Sequence, residues 1–301
     1  MKILVTGVSG QVGGALVARL GERAYPVDRK ILDLAQPADI PTVLSRLAPD
    51  VIVNPAAYTA VDKAEEEPDL ARVVNAEGPW AMARWAASRG VPLIHLSTDY
   101  VFDGSGDKPW REDDETGPLS VYGETKLAGE KAVRSASGPH LVVRTSWIYA
   151  SKGKNFMRTI ARLAGESKKL RIVADQVGAP TSAALIADAL TRMVEDDPKT
   201  IADRFAGAQG LVHFAASGAT SWHGFAVAIL QGLRERGVRL VADGVIPIRT
   251  EDYPTKAVRP RNSRLDLTRF SRVFGTTPPQ WEAALAPELD RLASELRSST
   301  C

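Results

Sequence analysis

The feature that most constrains the fold is the N-terminal segment KILVTGVSGQVG, residues 2–13. Its apolar start predicts a buried strand, and Gly7, Gly10 and Gly13 follow at three-residue spacing. A turn this tight needs positive φ, and a backbone close to a pyrophosphate leaves no room for a Cβ. A helix starting at Gln11 would point free N–H groups at the phosphates. Because a strand precedes the glycines and a helix follows, we interpret the turn as dinucleotide-binding.

Up to about residue 150, short apolar runs alternate with longer amphipathic ones, which predicts a parallel sheet covered by helices on both faces. We therefore expect an α/β fold with a Rossmann-type doubly wound parallel sheet. The predicted strands are Lys2–Thr6, Tyr25–Val27, Val51–Asn54, Leu93–Ser97 and His140–Arg144, and the predicted helices are Gln11–Leu20, Asp39–Leu47, Leu70–Arg89 and Val121–Ser135.

The second half of the chain is less regular. Its predicted helices are Asn155–Gly165, Ala183–Val194, Trp222–Arg236 and Trp281–Arg297, and its predicted strands, expected to extend the same sheet, are Leu170–Val173 and Leu211–Ala215. We expect residues 1–150, with 181–220 added, to form the dinucleotide-binding domain. Residues 151–180 and 221–301 are expected to form a smaller α/β substrate domain.

Composition excludes several classes of protein. The 38 basic and 36 acidic residues are well mixed, which argues against nucleic acid or a membrane surface as the main partner. Cys301 is the only cysteine, so neither an internal disulfide nor a CxxC motif is possible. We find no signal-peptide pattern and no apolar run near the roughly 20 residues of a membrane helix. A cytoplasmic location is expected.

Residues after the second predicted strand bear on the cofactor. Asp28 lies where an acid bonds the adenosine ribose, which favours NADH. Arg29 follows at once and could pair with a 2′-phosphate, which favours NADPH. Asp33 has the same ambiguity, so NADPH and NADH both stay open.

A phenol and an ammonium, those of Tyr122 and Lys126, lie four residues apart on one face of a predicted helix. An ammonium lowers the pKa of a nearby phenol from about 10, and the phenol can then protonate a carbonyl oxygen as hydride reaches the carbon. Thr98 ends the fourth strand, at the sheet edge where ligands bind. The alternative is an exposed helix with solvated charges, but the glycine turn favours catalysis.

Six segments carry a resemblance over nearly the whole length: Val53–Pro68, Leu96–Gly104, Ser120–Val133, Arg144–Ala150, Asp175–Thr181 and Arg259–Asp266. The chain resembles the dTDP-4-dehydrorhamnose reductase family of the extended short-chain dehydrogenase/reductase superfamily. The first three segments are shared in part with other sugar-nucleotide enzymes. The ordered set, with Trp147, is more specific.

The resemblance implies reduction of the 4-keto group of dTDP-4-dehydro-6-deoxy-L-mannose (dTDP-4-dehydrorhamnose) to dTDP-L-rhamnose by NADPH or NADH. It makes Tyr122 the proton donor, Lys126 the residue that lowers its pKa and holds the nicotinamide ribose, and Thr98 the group that orients the keto oxygen. It implies these further contacts: Gly10, Gln11 and Val12 with the pyrophosphate; Asp28, Asp33 and Leu34 with the adenosine; Ala57, Tyr58 and Thr59 along the cofactor; Thr98, Asp99 and Trp147 with the sugar; Arg259 and Asn262 with the rest of the substrate. For Trp147 the alternative is a core residue.

One departure from the family concerns a metal. Some members are described as dimers with interface magnesium held by acids, at positions matching Ala15 and Ala184 here. Alanine offers no oxygen ligand, so we expect no metal site and a monomer or weak homodimer. The histidines (His95, His140, His213 and His223) show no metal-ligand spacing and are expected to be structural.

Two rival functions stay open. Another enzyme on the same scaffold, such as a 4-epimerase or 4,6-dehydratase, is one, although a dehydratase would be expected to carry an acid where Tyr100 follows Asp99. The other is a non-catalytic subunit resembling the regulatory subunit of methionine adenosyltransferase. The intact set Thr98, Tyr122 and Lys126 favours catalysis.

Overall fold

The structure is a computed structural model that describes residues 1–298. Its strands are β1 (Ile3–Val5), β2 (Ala24–Pro26), β3 (Val51–Asn54), β4 (Leu93–Thr98), β5 (His140–Thr145), β6 (Ile148–Tyr149), β7 (Lys169–Val173), β8 (Val177–Gly178), β9 (Thr181–Ser182), β10 (Leu211–His213), β11 (Thr220–Ser221) and β12 (Gly244–Ile248). Cys301 lies outside the described residues.

The helices alternate with these strands through the first half of the chain. They are α1 (Gln11–Leu20), α2 (Ile40–Leu47), α3 (Val61–Ala64), α4 (Pro68–Arg72), α5 (Gly78–Ala87), α6 (Val121–Ser135), α7 (Phe156–Glu166), α8 (Ala183–Met193), α9 (Pro198–Gly207), α10 (Trp222–Glu235), α11 (Thr268–Phe274) and α12 (Trp281–Ser298). No helix within residues 1–298 is long and apolar enough to cross a membrane.

Six parallel strands form the central sheet, in the order β10-β5-β4-β3-β1-β2. The chain begins inside the sheet at β1, runs outward to β2, and then returns to the other side of β1 at β3. The strand order therefore reverses between β1 and β3, and ligands of such sheets bind outside the carboxyl ends at this point. The predicted doubly wound α/β fold is confirmed.

Both faces of the sheet are buried under helices. Along β1, Ile3 and Val5 pack with α1 and α8 on one face, while Leu4 packs with α2 and α5 on the other. This is the alternation that a strand imposes on neighbouring side chains. The two-sided burial explains why the strands are continuously apolar.

A second core lies among α7, α10 and α12. The prediction that the strand at 170–173 extends the central sheet is wrong: β7 pairs in parallel with β12 as a separate two-stranded sheet beside α10. Pro247 lies in β12, and a residue without an N–H suits a strand at an edge. The predicted strand at Leu211 does join the central sheet, as β10.

The predicted single helix over residues 70–89 is also wrong, because α4 and α5 are separated by a π-helical segment, Val73–Glu77. Pro79 follows it, lacks an N–H, and has a ring that crowds the carbonyl four residues earlier, that of Asn75. The α-helical hydrogen-bond pattern is therefore interrupted here, and the helix widens.

Candidate active site

A cleft of about 1570 Å³ runs along the carboxyl ends of β1, β3, β4 and β5. All the predicted cofactor and catalytic residues line it: Gly7, Gly10, Gln11, Val12, Gly13, Asp28, Arg29, Asp33, Leu34, Ala57, Tyr58, Thr59, Thr98, Tyr122 and Lys126. Asp99 and Trp147 line it as well, whereas Arg259 and Asn262 do not. Residues that are far apart in the sequence thus meet at the point where the strand order reverses.

The glycine turn forms a cradle between β1 and α1. Gly7 has φ +59°, and a Cβ there would lie 3.0 Å from the Ala56 backbone. A Cβ on Gly13 would lie only 2.2 Å from the Gly7 carbonyl oxygen. A side chain is therefore excluded at Gly7 and Gly13, where the turn packs closely against Ala56 and against itself. The unpaired N–H groups of that turn fit a pyrophosphate.

The adenosine end of the cleft carries both Asp28, which favours NADH, and Arg29, which favours NADPH. The Asp28 carboxylate accepts the N–H groups of Lys30 and Ile31, at 3.0 and 3.2 Å. Arg29 donates through Nε to Asp33 at 3.0 Å, on the protein surface. Arg29 would have to leave Asp33 to meet a 2′-phosphate. Exposed ion pairs are weak, so this exchange costs little.

The segment Ala57–Thr59 leaves the end of β3 and borders the middle of the cleft. The Tyr58 hydroxyl donates to Glu67 at 2.6 Å, and this bond raises the pKa of Tyr58. The Tyr58 backbone is bonded to the side chain of Asn75. Asn75 is not predicted from the sequence, because a lone asparagine within an apolar helical pattern gives no local signal of a functional role.

Helix α6 brings Tyr122 to Thr98. The Ser120 hydroxyl caps the helix by accepting the Gly123 N–H at 3.2 Å, so the first turn starts directly below the cleft. Burial raises the pKa of Tyr122 to about 12, although a hydrogen bond with Thr98 opposes the shift. The phenol is therefore protonated throughout the neutral range, the form that can donate a proton.

Lys126 faces β4 rather than the Tyr122 hydroxyl. Its Nζ donates to the Leu96 carbonyl at 2.6 Å and lies 3.3 Å from His95 Nε2. Burial lowers the pKa of Lys126 to about 8, and Glu130 opposes this shift. The expectation that Lys126 lowers the pKa of Tyr122 differs from this structure, in which burial of the phenol dominates and the pKa rises.

Asp99 is a buried acid beside Thr98, and its Oδ2 is a buried atom without a hydrogen-bond partner. Its Oδ1 accepts the Thr98 hydroxyl at 3.2 Å, and Ser263 adds a further bond. Burial nevertheless raises the pKa of Asp99 to about 7. Asp99 thus keeps one carboxyl oxygen without a hydrogen-bond partner within residues 1–298.

Trp147 is both a core residue and part of the cleft lining, the two alternatives that the sequence left open. It is buried, with only 9% of its surface exposed, yet it also lines the cleft. Its ring stacks on Trp222 with centroids 3.5 Å apart, and its φ is +49°. A Cβ on Gly178 would lie 2.6 Å from the ring. This unusual backbone and close packing fix the orientation of an aromatic wall of the cleft.

Arg259 and Asn262, which are predicted to contact the substrate, lie outside the lining of the cleft and bond to other groups of the protein. Arg259 pairs with Asp62 at 2.6 Å. Asn262 is buried, donates to the Lys108 carbonyl at 2.8 Å, and accepts from Arg264 Nε at 2.8 Å. Through these bonds the Asn262 amide holds the C-terminal segment against the segment after β4.

Metal ligands are not clustered in the part of the chain that the structure describes: residues 1–298 contain no group of three or more His, Cys, Asp or Glu side chains that could hold an ion. Ala15 and Ala184 both line the cleft. Buried His95 and His213 bond to other protein groups, Asn54 and the Trp110 carbonyl.

Comparisons with known proteins agree over the whole chain. The family model for the RmlD substrate binding domain matches residues 1–294. The dTDP-4-dehydrorhamnose reductase of Salmonella typhimurium is 43% identical, with 100% of this chain and 99% of that protein covered.

Solved structures give the same result. A dTDP-4-dehydrorhamnose reductase from Clostridium acetobutylicum superposes with a TM-score of 0.87 at 36% identity, covering 97% of this chain and 99% of the other. The enzyme of Bacillus anthracis, in complex with NADP, gives a TM-score of 0.86 at 33% identity, covering 96% and 99%.

Proposed function

This chain belongs to the RmlD substrate binding domain family, whose relatives include dTDP-4-dehydrorhamnose reductases, and on that premise we propose that it reduces dTDP-4-dehydrorhamnose to dTDP-L-rhamnose. NADPH or NADH is the reductant. The observation that carries the proposal is the meeting of the glycine cradle with Thr98, Tyr122 and Lys126 along one cleft. Together they provide for a dinucleotide and for a proton donor.

The protein's own part in the reaction is the delivery of a proton. A nicotinamide cofactor, when bound in the cleft, would supply the hydride for the C4 carbon. Tyr122 gives its hydroxyl proton to the keto oxygen. Thr98, which lines the cleft together with Tyr122, orients the keto oxygen. Lys126, which also lines the cleft, would hold the nicotinamide ribose.

The cofactor lies, in this proposal, along the glycine cradle. Its remaining contacts are Gly7, Gly10, Gln11, Val12 and Gly13 at the pyrophosphate, Asp28, Arg29, Asp33 and Leu34 at the adenosine, and Ala57, Tyr58 and Thr59 between them. Asp99 and Trp147 contact the sugar. We also propose that residues 151–180 and 221–298 form most of the substrate-binding unit, since α7, α10 and α12 share a core of their own.

The decisive test is a coupled assay of the purified protein with the dTDP-4-keto sugar, comparing NADPH with NADH. Tyr122→Phe should slow turnover by about 10²- to 10⁴-fold, because the proton donor is lost. Its affinity for NADPH should stay near that of the wild type, since the ring is kept. A Phe variant as fast as the wild type would refute the proton-donor role. A wild type that oxidises no cofactor would refute the enzymatic function.

The quaternary state and location are part of the same proposal. We infer a monomer or weak homodimer, because Ala15 and Ala184 offer no ligand to an interface magnesium. We also infer a cytoplasmic location, which fits a sequence with a single cysteine. Sedimentation velocity in Mg²⁺ and in EDTA should give the same distribution. A dimer that forms only with Mg²⁺ would contradict the inference.

A further inference from the structure

Three polar side chains form a row across neighbouring strands of the central sheet. Thr6 follows β1, Asn54 ends β3, and His95 lies in β4 directly beside Asn54 in the parallel register. All three are buried, with at most 2% of their surface exposed. Burying polar groups costs free energy unless they are hydrogen-bonded, so the bonds of this polar row identify what it supports.

The polar row is continuous and ends at Lys126. The Thr6 hydroxyl donates to Asn54 Oδ1 at 2.6 Å, and Asn54 Nδ2 lies 3.0 Å from His95 Nδ1. The other ring nitrogen, His95 Nε2, lies 3.3 Å from Lys126 Nζ. The Asn54 amide can face His95 with its oxygen or its nitrogen, because the Thr6 hydroxyl both donates and accepts. The row is therefore compatible with either neutral form of the imidazole.

His95 meets Lys126 as a neutral ring. Burial and the charge of Lys126 lower the pKa of His95 well below its usual range. A neutral imidazole keeps one nitrogen as an acceptor, and Nε2 can accept from the lysine ammonium. Lys126 also donates to the Leu96 carbonyl at 2.6 Å. An ammonium has three N–H groups, so these two bonds leave one for a group in the cleft that Lys126 lines.

We propose that His95 is a positioning residue that, together with the Leu96 carbonyl, holds the Lys126 ammonium so that its third N–H meets the nicotinamide ribose. This inference rests on the proposed function, in which Lys126 holds that ribose. Lysine has a long, flexible side chain, and two fixed acceptors confine its ammonium before the cofactor binds. The ribose carries the nicotinamide, and catalysis is sensitive to displacements of about 1 Å at such a site.

The two halves of the cofactor test this inference, because only one half contains the nicotinamide ribose. In His95→Phe the affinity for NADPH, measured by fluorescence titration, should fall by about tenfold, as expected for the loss of a hydrogen bond to a charged group. The affinity for 2′,5′-ADP, which carries the adenosine half alone, should stay at the wild-type value. If the protein prefers NADH, the same comparison is made with NADH and ADP.

Lys126→Met separates an effect through the ammonium from a general loss of order. If His95 acts through Lys126, adding His95→Phe to Lys126→Met should change NADPH affinity by less than about twofold, whereas independent effects would multiply. In the assay, kcat of His95→Phe should fall while KM for the dTDP-sugar stays near the wild-type value. His95→Gln, whose amide oxygen can accept from Lys126, should recover part of the NADPH affinity and of kcat.

His140→Phe is the matched control. His140 starts β5, the strand beside β4, is half-buried, and lies outside the lining of the cleft, with its Nδ1 2.8 Å from the Gly138 carbonyl. The control thus makes the same exchange of side chains in the neighbouring strand. It should leave kcat and the affinities for NADPH and 2′,5′-ADP at their wild-type values. Should His95→Phe fail to fold, His95→Leu takes its place in the same comparisons.

Three results would overturn the inference: wild-type NADPH affinity in His95→Phe, an equal loss of affinity for NADPH and 2′,5′-ADP, or a full effect of His95→Phe in the Lys126→Met protein. A wild type that binds NADPH but reduces no sugar would refute the proposed function alone. The binding comparisons would still decide the role of His95.

Discussion

Burial destabilises the charged forms of two side chains in the cleft, those of Asp99 and Lys126. Burial raises the pKa of Asp99 to about 7 and lowers the pKa of Lys126 to about 8. Each shift means that the charged form is less stable in the folded chain than in the unfolded one. The fold therefore gives up stability at these residues, as proteins commonly do where chemistry needs an unusual environment.

Asp99 gives a prediction for the pH dependence of stability. Its pKa is raised from 3.8 to about 7, so the folded carboxyl keeps a proton that the unfolded one releases. The contribution of Asp99 to the free energy of unfolding is therefore fully present below about pH 4 and is lost as the pH rises through about 7. In Asp99→Asn the melting temperature should change less between about pH 5 and about pH 8 than in the wild type. Thermal unfolding at both pH values checks this, and equal changes would contradict it.

At the scale of elements, local patterns predicted most of the helices but not the pairing of the strands. Helices α1 and α6 have the predicted bounds, because amphipathic periodicity and the capping residue Ser120 are local features of the sequence. The π-helical segment depends on Pro79 and on the close approach of α6, and periodicity reports neither. The partner of β7 lies some seventy residues away, so the pairing cannot be predicted from the strand's own sequence.

The candidate site divides in the same way. The glycine turn, Tyr122 and Lys126 were predictable, because each follows a recognisable strand-to-turn or helical spacing. Asn75, Trp222 and Glu67 were not, since they reach the cleft or its supports only through tertiary packing. For the same reason, the sequence did not indicate that Asn262 is used within the protein.

The glycine turn yields a prediction for an element. Gly13→Ala would place a methyl group against the Gly7 carbonyl, so the start of α1 must shift, and NADPH binding should fall by at least tenfold with a lower melting temperature. Gly165→Ala, in α7 with open space around its Cβ, is the control. It should raise stability slightly, by up to about 1 kcal/mol, and leave binding unchanged. Normal NADPH binding by Gly13→Ala would contradict the cradle.

At the scale of the whole molecule, a buried ion pair connects the central sheet to helix α6. Arg144 on β5 donates to both carboxylate oxygens of Glu130 on α6, at 2.9 and 2.7 Å. Glu130 also accepts the Ser97 hydroxyl at 2.5 Å, and Arg144 lies over the ring of Phe102. The pair thus joins β4, β5, α6 and the segment after β4.

Removing one partner of this ion pair should lower the free energy of unfolding more than removing both partners. Glu130→Leu leaves the Arg144 charge buried and should lower the free energy of unfolding by about 3–5 kcal/mol. Adding Arg144→Met removes that charge and should recover part of the loss. Urea unfolding of the wild type, the single variant and the double variant measures both. A double variant no more stable than Glu130→Leu would contradict the argument.

The stacked rings of Trp147 and Trp222 have an optical consequence. Trp147 follows β5 of the central sheet, whereas Trp222 begins α10 in the second core. Two indoles stacked this closely couple their strong far-ultraviolet transitions, so the pair contributes an exciton couplet to the circular dichroism spectrum that an isolated tryptophan lacks. Any movement of one core against the other would separate the chromophores. The stacked pair therefore reports, without an added label, on the packing between the end of β5 and the start of α10.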